Sequence, residues 1–81
     1  MNVSHTPRFQ KNLLNFSSEV QRKFEKQVRF LLFDLKHPSL RAKKYDERRG
    51  IWQARVDDSI RFYFEITGNT YILLDIRKHT D

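Results

Sequence analysis

From Ile51 to Ile76 the sequence alternates apolar and polar residues with a period of two, broken only by two short polar stretches. Trp52, Ala54 and Val56 alternate with Gln53 and Arg55; Ile60, Phe62, Phe64 and Ile66 with Arg61, Tyr63 and Glu65; Ile72, Leu74 and Ile76 with Tyr71, Leu73 and Asp75. Such alternation marks half-buried strands. Asp57-Asp58-Ser59 and Thr67-Gly68-Asn69 are turn chemistry, and connections this short force neighbouring strands to be antiparallel. The spacing predicts a three-stranded antiparallel meander.

Keeping the apolar side chains on one face fixes an expected register, because a slip of one residue turns every side chain over. A first turn centred on Asp58 pairs Val56 with Ile60, Ala54 with Phe62 and Trp52 with Phe64, and on the other face Arg55 with Arg61 and Gln53 with Tyr63. The slipped alternative sets Arg55 against Ile60 and drives a charge into the core, where it is costly. A second turn centred on Gly68 pairs Phe64 with Ile72 and Phe62 with Leu74, and sets Arg61 opposite Asp75. The expected outer row is therefore Arg55, Arg61 and Asp75, with Arg77 and His79 on the same face if the strand continues. Like charges directly opposite one another are unfavourable, so the row is either an exposed ionic network or a pair of cations held for an anion.

Upstream the period is helical. Asn2 to His5 reads as a short strand, and Thr6-Pro7 supplies an N-cap and first-turn proline for a helix over 7–15, with Phe9, Leu13, Leu14 and Phe16 along one stripe. Ser18 with Gln21 fits a capping box for a second helix, in which Val20, Phe24, Val28, Leu31, Leu32 and Leu35 recur toward Lys36. Arg22, Lys23, Lys26 and Arg29 occupy its opposite face, as solvated charges or as phosphate contacts. His37-Pro38 ends it. Arg41, Lys43, Lys44, Arg48 and Arg49 then crowd the connection to the meander, which reads equally as a phosphate-contacting loop or as a solvated linker.

Composition narrows the function classes. The 81 residues form one domain, 1–81, and a formal net charge of +6 favours a polyanionic partner. The absence of cysteine removes disulfides, thiolate catalysis and Cys-ligated zinc, and suits a reducing cytoplasm. The two glycines cannot build a phosphate-cradling loop, so no nucleotide cofactor is expected. The longest apolar run, Phe30 to Phe33, is far short of a membrane span, and the polar start MNVSHTPR carries no targeting pattern. His5, His37 and His79 lack metal-ligand spacing, so no metal site is expected. A Ser-His-Asp arrangement does not emerge either, since Asp75 and His79 lie roughly 13 Å apart along an extended strand.

The order strand, helix, helix, three antiparallel strands on a basic chain resembles the RelE/ParE superfamily of toxins from toxin–antitoxin pairs. The resemblance covers almost the whole chain and is sharpest in TPRFQKNL, HPSLRAKKY and IWQARVDDSIRFYFEITGNTYILLDIRKH. It implies an α+β fold in which a short N-terminal strand and two helices pack on one face of an antiparallel sheet ending in the meander. It also implies a cytoplasmic ribonuclease that cuts mRNA on the ribosome without a metal or cofactor, the ribose 2′-OH attacking the adjacent phosphate.

By position, Arg61 matches the family's phosphate-stabilising arginine, Arg55 a basic site on the preceding strand, and His79 a position held by arginine or histidine after the last strand. Lys43, Lys44, Arg41, Arg77, Gln53 and His37 are the candidate substrate contacts, with His37 a second imidazole that loop folding would have to bring near. Gln53 stands where RelE carries a lysine thought to help proton transfer, and no aromatic follows His79 where many members place one near the C-terminus. ParE-type relatives imply the alternative, a non-enzymatic toxin that binds and poisons DNA gyrase, and the departures at Gln53 and after His79 add a weakened homologue that only binds. Either branch implies a cognate antitoxin as partner, with ribosome and mRNA added for the ribonuclease and no membrane in either case.

Overall fold

The computed structural model describes residues 1–79. Its elements run β1 (Asn2–His5), α1 (Pro7–Leu14), α2 (Ser18–Phe33), β2 (Lys43–Asp46), β3 (Ile51–Arg55), β4 (Ile60–Thr67) and β5 (Thr70–Lys78). The strands form one five-stranded sheet in the order β1-β5-β4-β3-β2, with both helices lying against its apolar face. The sheet is mixed, because β1 runs parallel to β5 while every other pair is antiparallel. The expected short N-terminal strand thus joins the sheet itself, at its edge and parallel to β5, from which two helices and three strands separate it in sequence; a connection that long permits the parallel pairing that a tight turn forbids.

Helix starts follow side-chain capping. Thr6 accepts the Phe9 backbone N–H at 3.1 Å and Pro7 opens α1. In α2 the cap is Ser17, one residue before the expected Ser18, and it accepts from the Val20 N–H at 3.2 Å. Gln21 does not close a capping box; its amide instead donates to the Phe16 carbonyl at 3.0 Å. The helix stops at Phe33, short of Lys36, because Asp34 turns to an extended conformation and its carboxylate accepts the Lys36 backbone N–H at 2.9 Å. Leu14 and Leu32, assigned to apolar stripes, are exposed, and Phe33 is 88% exposed.

Phe9, Phe24, Leu31, Leu40, Phe62, Phe64, Leu73 and Ile76 make the centre of the core, with Phe24 edge-on to Phe62 at 5.3 Å. Gln27 is the buried polar residue of α2. Its side-chain nitrogen donates to the Ser39 and Arg55 carbonyls at 3.1 and 2.8 Å, and its oxygen accepts from the Ser39 hydroxyl at 3.0 Å. One side chain thus ties helix, loop and β3 together.

The β3–β4 register is the expected one, from Ile51 opposite Glu65 to Arg55 opposite Arg61. The β4–β5 register is not. Thr67 pairs with Thr70, so Gly68 and Asn69 alone form the loop, with Gly68 at φ +59° in its first position as a II′-type hairpin requires. A bulge then inserts Leu74 on β5: Phe64 faces Leu73, whereas Tyr63 faces Asp75. The two shifts together put Tyr71 and Leu73 in the core in place of Ile72 and Leu74, and Arg61 opposite Arg77 in place of Asp75. The outer row is Arg55, Arg61, Arg77.

Candidate anion-binding site

Two features of the chain build a cleft on the outer face of the sheet. The first is the turn after β3. Asp57 accepts from the backbone N–H groups of Ser59 and Ile60, both at 2.9 Å, and Arg61 Nη1 donates to the Asp57 carbonyl at 2.6 Å and the Ile60 carbonyl at 3.2 Å. This fixes the Arg61 guanidinium against the turn. Arg55, directly opposite, is ion-paired with Asp58, whose own side chain is almost wholly exposed. The Ser59 carbonyl accepts the His79 backbone N–H at 2.7 Å, which brings the end of β5 to the same turn.

The second feature is the descent from α2 to β2. Leu40 is fully buried, and its carbonyl accepts the Arg55 N–H at 2.9 Å. The chain must reverse immediately afterwards, and Arg41 takes φ +45°, a left-handed conformation costing a non-glycine residue about 1 kcal/mol. Strain of this kind tends to gather at functional sites. The segment expected to be a basic linker then forms edge strand β2, with Lys43 opposite Gln53 and Lys44 opposite Trp52, whose ring Lys44 approaches to 5.3 Å.

The result is a cleft of about 580 Å³ lined by Arg41, Lys43, Lys44, Arg55 and Arg61, with Gln53, Tyr45 and His79 completing its wall. The lining holds five basic side chains and no carboxylate. A concave site with that charge attracts and orients phosphates. Among the described residues, no group of three or more His, Cys, Asp and Glu side chains could hold a metal ion.

No protein-family model matches the sequence, and no curated protein does. Solved structures do. The chain is similar to a YoeB/ParE toxin from Agrobacterium tumefaciens, with a TM-score of 0.81 at 14% identity over 99% of this chain and 100% of the other. Its fold is that of the RelE/ParE toxins. A chain of the heterotetrameric YoeB-YefM toxin-antitoxin complex from Staphylococcus aureus matches at TM-score 0.80 and 12% identity, covering 99% of this chain and 98% of that one. A chain of the archaeal RelE-RelB complex from Pyrococcus horikoshii OT3 matches at 0.77 and 15%, covering 95% and 92%.

Within this RelE/ParE fold, seven of the nine residues singled out from sequence line one cleft: Arg41, Lys43, Lys44, Gln53, Arg55, Arg61 and His79. Two do not. His37 stacks on Phe30, with ring centres 3.9 Å apart, and accepts the Ser39 N–H at 3.1 Å, so the loop holds it away from the cleft beside Trp52. Arg77 lies over Tyr63 at 4.5 Å and pairs with Asp75 at 3.4 Å, lining the neighbouring hollow.

Sequence reasoning missed Gln27 and Tyr45, and read Asp57 as turn chemistry alone. Only Asp57 carried a signal, being an Asx-turn residue before a strand. Burial pushes its carboxyl up, but the Ser59 and Ile60 N–H groups and Lys23, 3.5 Å away, outweigh it and hold the group below the ordinary carboxylate value of 3.8. A pKa lowered by folding adds stability that is complete above the unfolded value and is lost as pH falls through the folded one. Asp57→Ala is therefore expected to destabilise the protein by about 1–2 kcal/mol at pH 7, the scale of a lost cap. In thermal melts at stepped pH, the gap from wild type should narrow below pH 3.8.

Proposed function

We propose that the chain is the toxin of a toxin–antitoxin pair and that it inhibits translation by cutting mRNA on the ribosome. The observation that carries this reading is the single cleft holding Arg41, Lys43, Lys44, Arg55, Arg61 and His79 without an acidic group on its lining. A scissile phosphate seated there meets fixed cations where charge grows during the reaction, and preorganised donors of this kind act without reorganising as the charge develops. The 2′-oxygen bonds to phosphorus, the P–O5′ bond breaks, and a 2′,3′-cyclic phosphate and a 5′-hydroxyl are left.

One proton must leave the 2′-OH and one must reach the departing 5′-oxygen. Histidine is the only side-chain type on the lining that exchanges protons near neutral pH, so His79 is assigned to proton transfer. Arg55 and Arg61 clamp the phosphate with their planar donor forks, while Lys43 and Lys44 hold neighbouring backbone. Solved neighbours include a YoeB-YefM complex named toxin-antitoxin and a RelB-RelE complex named antitoxin-toxin, and an antitoxin partner for this chain is part of the proposal.

Primer extension on an mRNA in a bacterial cell-free translation reaction tests the reading. Cuts are expected on ribosome-engaged mRNA and not on the same RNA without ribosomes. Intact mRNA in the presence of folded protein would overturn it and bring gyrase inhibition forward.

A further inference from the structure

Tyr45 is the one phenol ring on the lining of the cationic cleft, and it also lines a second hollow of about 340 Å³ on the same sheet face. Its place comes from a bulge in β2: Lys44 pairs with Trp52 and Asp46 with Ile51, leaving Tyr45 as the extra residue. Bulges re-aim side chains in this way beside functional sites. The Tyr45 ring meets Tyr63 at 4.9 Å in an edge arrangement, and Tyr63 is in turn covered by Arg77 at 4.5 Å. Yet Tyr45 is 54% exposed. It is a large aromatic seated on a buried partner, with open surface left between two recesses.

The recesses differ in chemistry. The cleft is dominated by positive charge, with five basic side chains and no carboxylate on its lining, which suits phosphate. The hollow mixes Arg8, Arg49 and Arg77 with Asp46 and Asp75; Arg49 pairs with Asp46 at 3.8 Å and Arg77 with Asp75 at 3.4 Å, so most of its charge is matched and Arg8 is the excess cation. Donors and acceptors side by side suit the edge of a nucleobase, which carries both, better than they suit an anion.

We infer that Tyr45 and the hollow behind it form a nucleobase subsite for single-stranded RNA: a base next to the phosphate in the cleft stacks on the Tyr45 ring and presents its edge to Arg8, Arg77, Asp46 and Asp75. The inference rests on the phosphate-clamp reading above and adds to it a site for the base. Aromatic side chains beside a cationic groove serve as sequence-tolerant platforms in this way, and each stacked base contributes measurably to affinity.

The test is binding, so that it stands apart from cleavage. A fluorescein-labelled hexanucleotide of 2′-O-methyl RNA, which cannot be cut, is titrated at low salt against wild type, Tyr45→Ala and Tyr45→Trp, with each position also replaced in turn by an abasic unit. Tyr45→Ala is expected to weaken binding roughly five- to hundredfold, and Tyr45→Trp by less than about threefold. One abasic position should cost wild type a similar factor and cost Tyr45→Ala nothing further. Equal binding by wild type and a folded Tyr45→Ala would overturn the subsite while leaving the phosphate clamp standing. Equal binding of a duplex of the same sequence would also overturn it. No binding by wild type would remove both the subsite and the clamp it rests on.

Discussion

Arg61→Ala is expected to slow cleavage of ribosome-engaged mRNA by about a hundred- to a thousandfold, the loss typical of removing one preorganised donor to a developing anion. The expectation follows from how Arg61 is held. Its Nη1 is committed to the Asp57 and Ile60 carbonyls at 2.6 and 3.2 Å, which orients the fork so that its remaining N–H groups can serve a ligand in the cleft. Arg55 is in a different position, since a phosphate must compete with Asp58 for it. Losing Arg61 also unbraces the turn, so the variant needs a second measurement. Arg61→Lys keeps a charge and one donor but cannot bond the turn and a phosphate together in a planar fork. It should melt within a few degrees of wild type and still lose most of the rate. A folded Arg61→Ala protein that cuts normally would remove Arg61 from the proposed machinery.

The largest effect on folding is expected at Phe62. It is fully buried, meets Phe24 edge-on at 5.3 Å and Phe64 at 5.7 Å, and sits on β4, the middle strand of the sheet. Phe62→Ala should cost about 3–5 kcal/mol. A domain of this size has about 5–15 kcal/mol in total, so the melting temperature should fall by tens of degrees. Phe33→Ser provides the contrast within one residue type: at 88% exposure it should shift stability by no more than about 0.5 kcal/mol. Urea unfolding followed by circular dichroism separates the two, and a Phe62→Ala protein as stable as wild type would contradict the packing described.

What the sequence reveals depends on where its signals are local. The β3–β4 register is legible because the Asp57 to Ser59 turn is short and a slip would bury Arg55. The β4–β5 register is hidden because Ile72 and Leu74 are as apolar as Tyr71 and Leu73, so either parity builds a core. Only the two-residue loop and the bulge at Leu74 decide between them. β2 escapes notice because Lys43, Lys44, Tyr45 and Asp46 have no apolar alternation, as expected of an edge strand whose charges discourage pairing with other chains. Arg55 and Arg61 are nevertheless legible as a facing pair, because they meet across the one register that can be derived, whereas Arg41, Lys43 and Lys44 stand out only as part of a charge run. Tyr45 lay within a charge run and gave no such cue. Gln27 has the ordinary appearance of a polar helix residue until its three hydrogen bonds to the loop and β3 are seen.

The parallel pairing of β1 with β5 also governs the order in which the molecule can assemble. Asn2 must wait for Thr70, and β5 must be in place before the sheet can close on either side of it. A nascent chain holding only β1 and the two helices has no strand for β1 to join, and contacts this distant in sequence form late and slowly. The same strand carries the chain to His79 at the cleft. Synthesis of β5 thus supplies the strand that closes the sheet and the His79 wall of the site together, and a nascent chain that lacks β5 has neither a closed sheet nor a complete cleft.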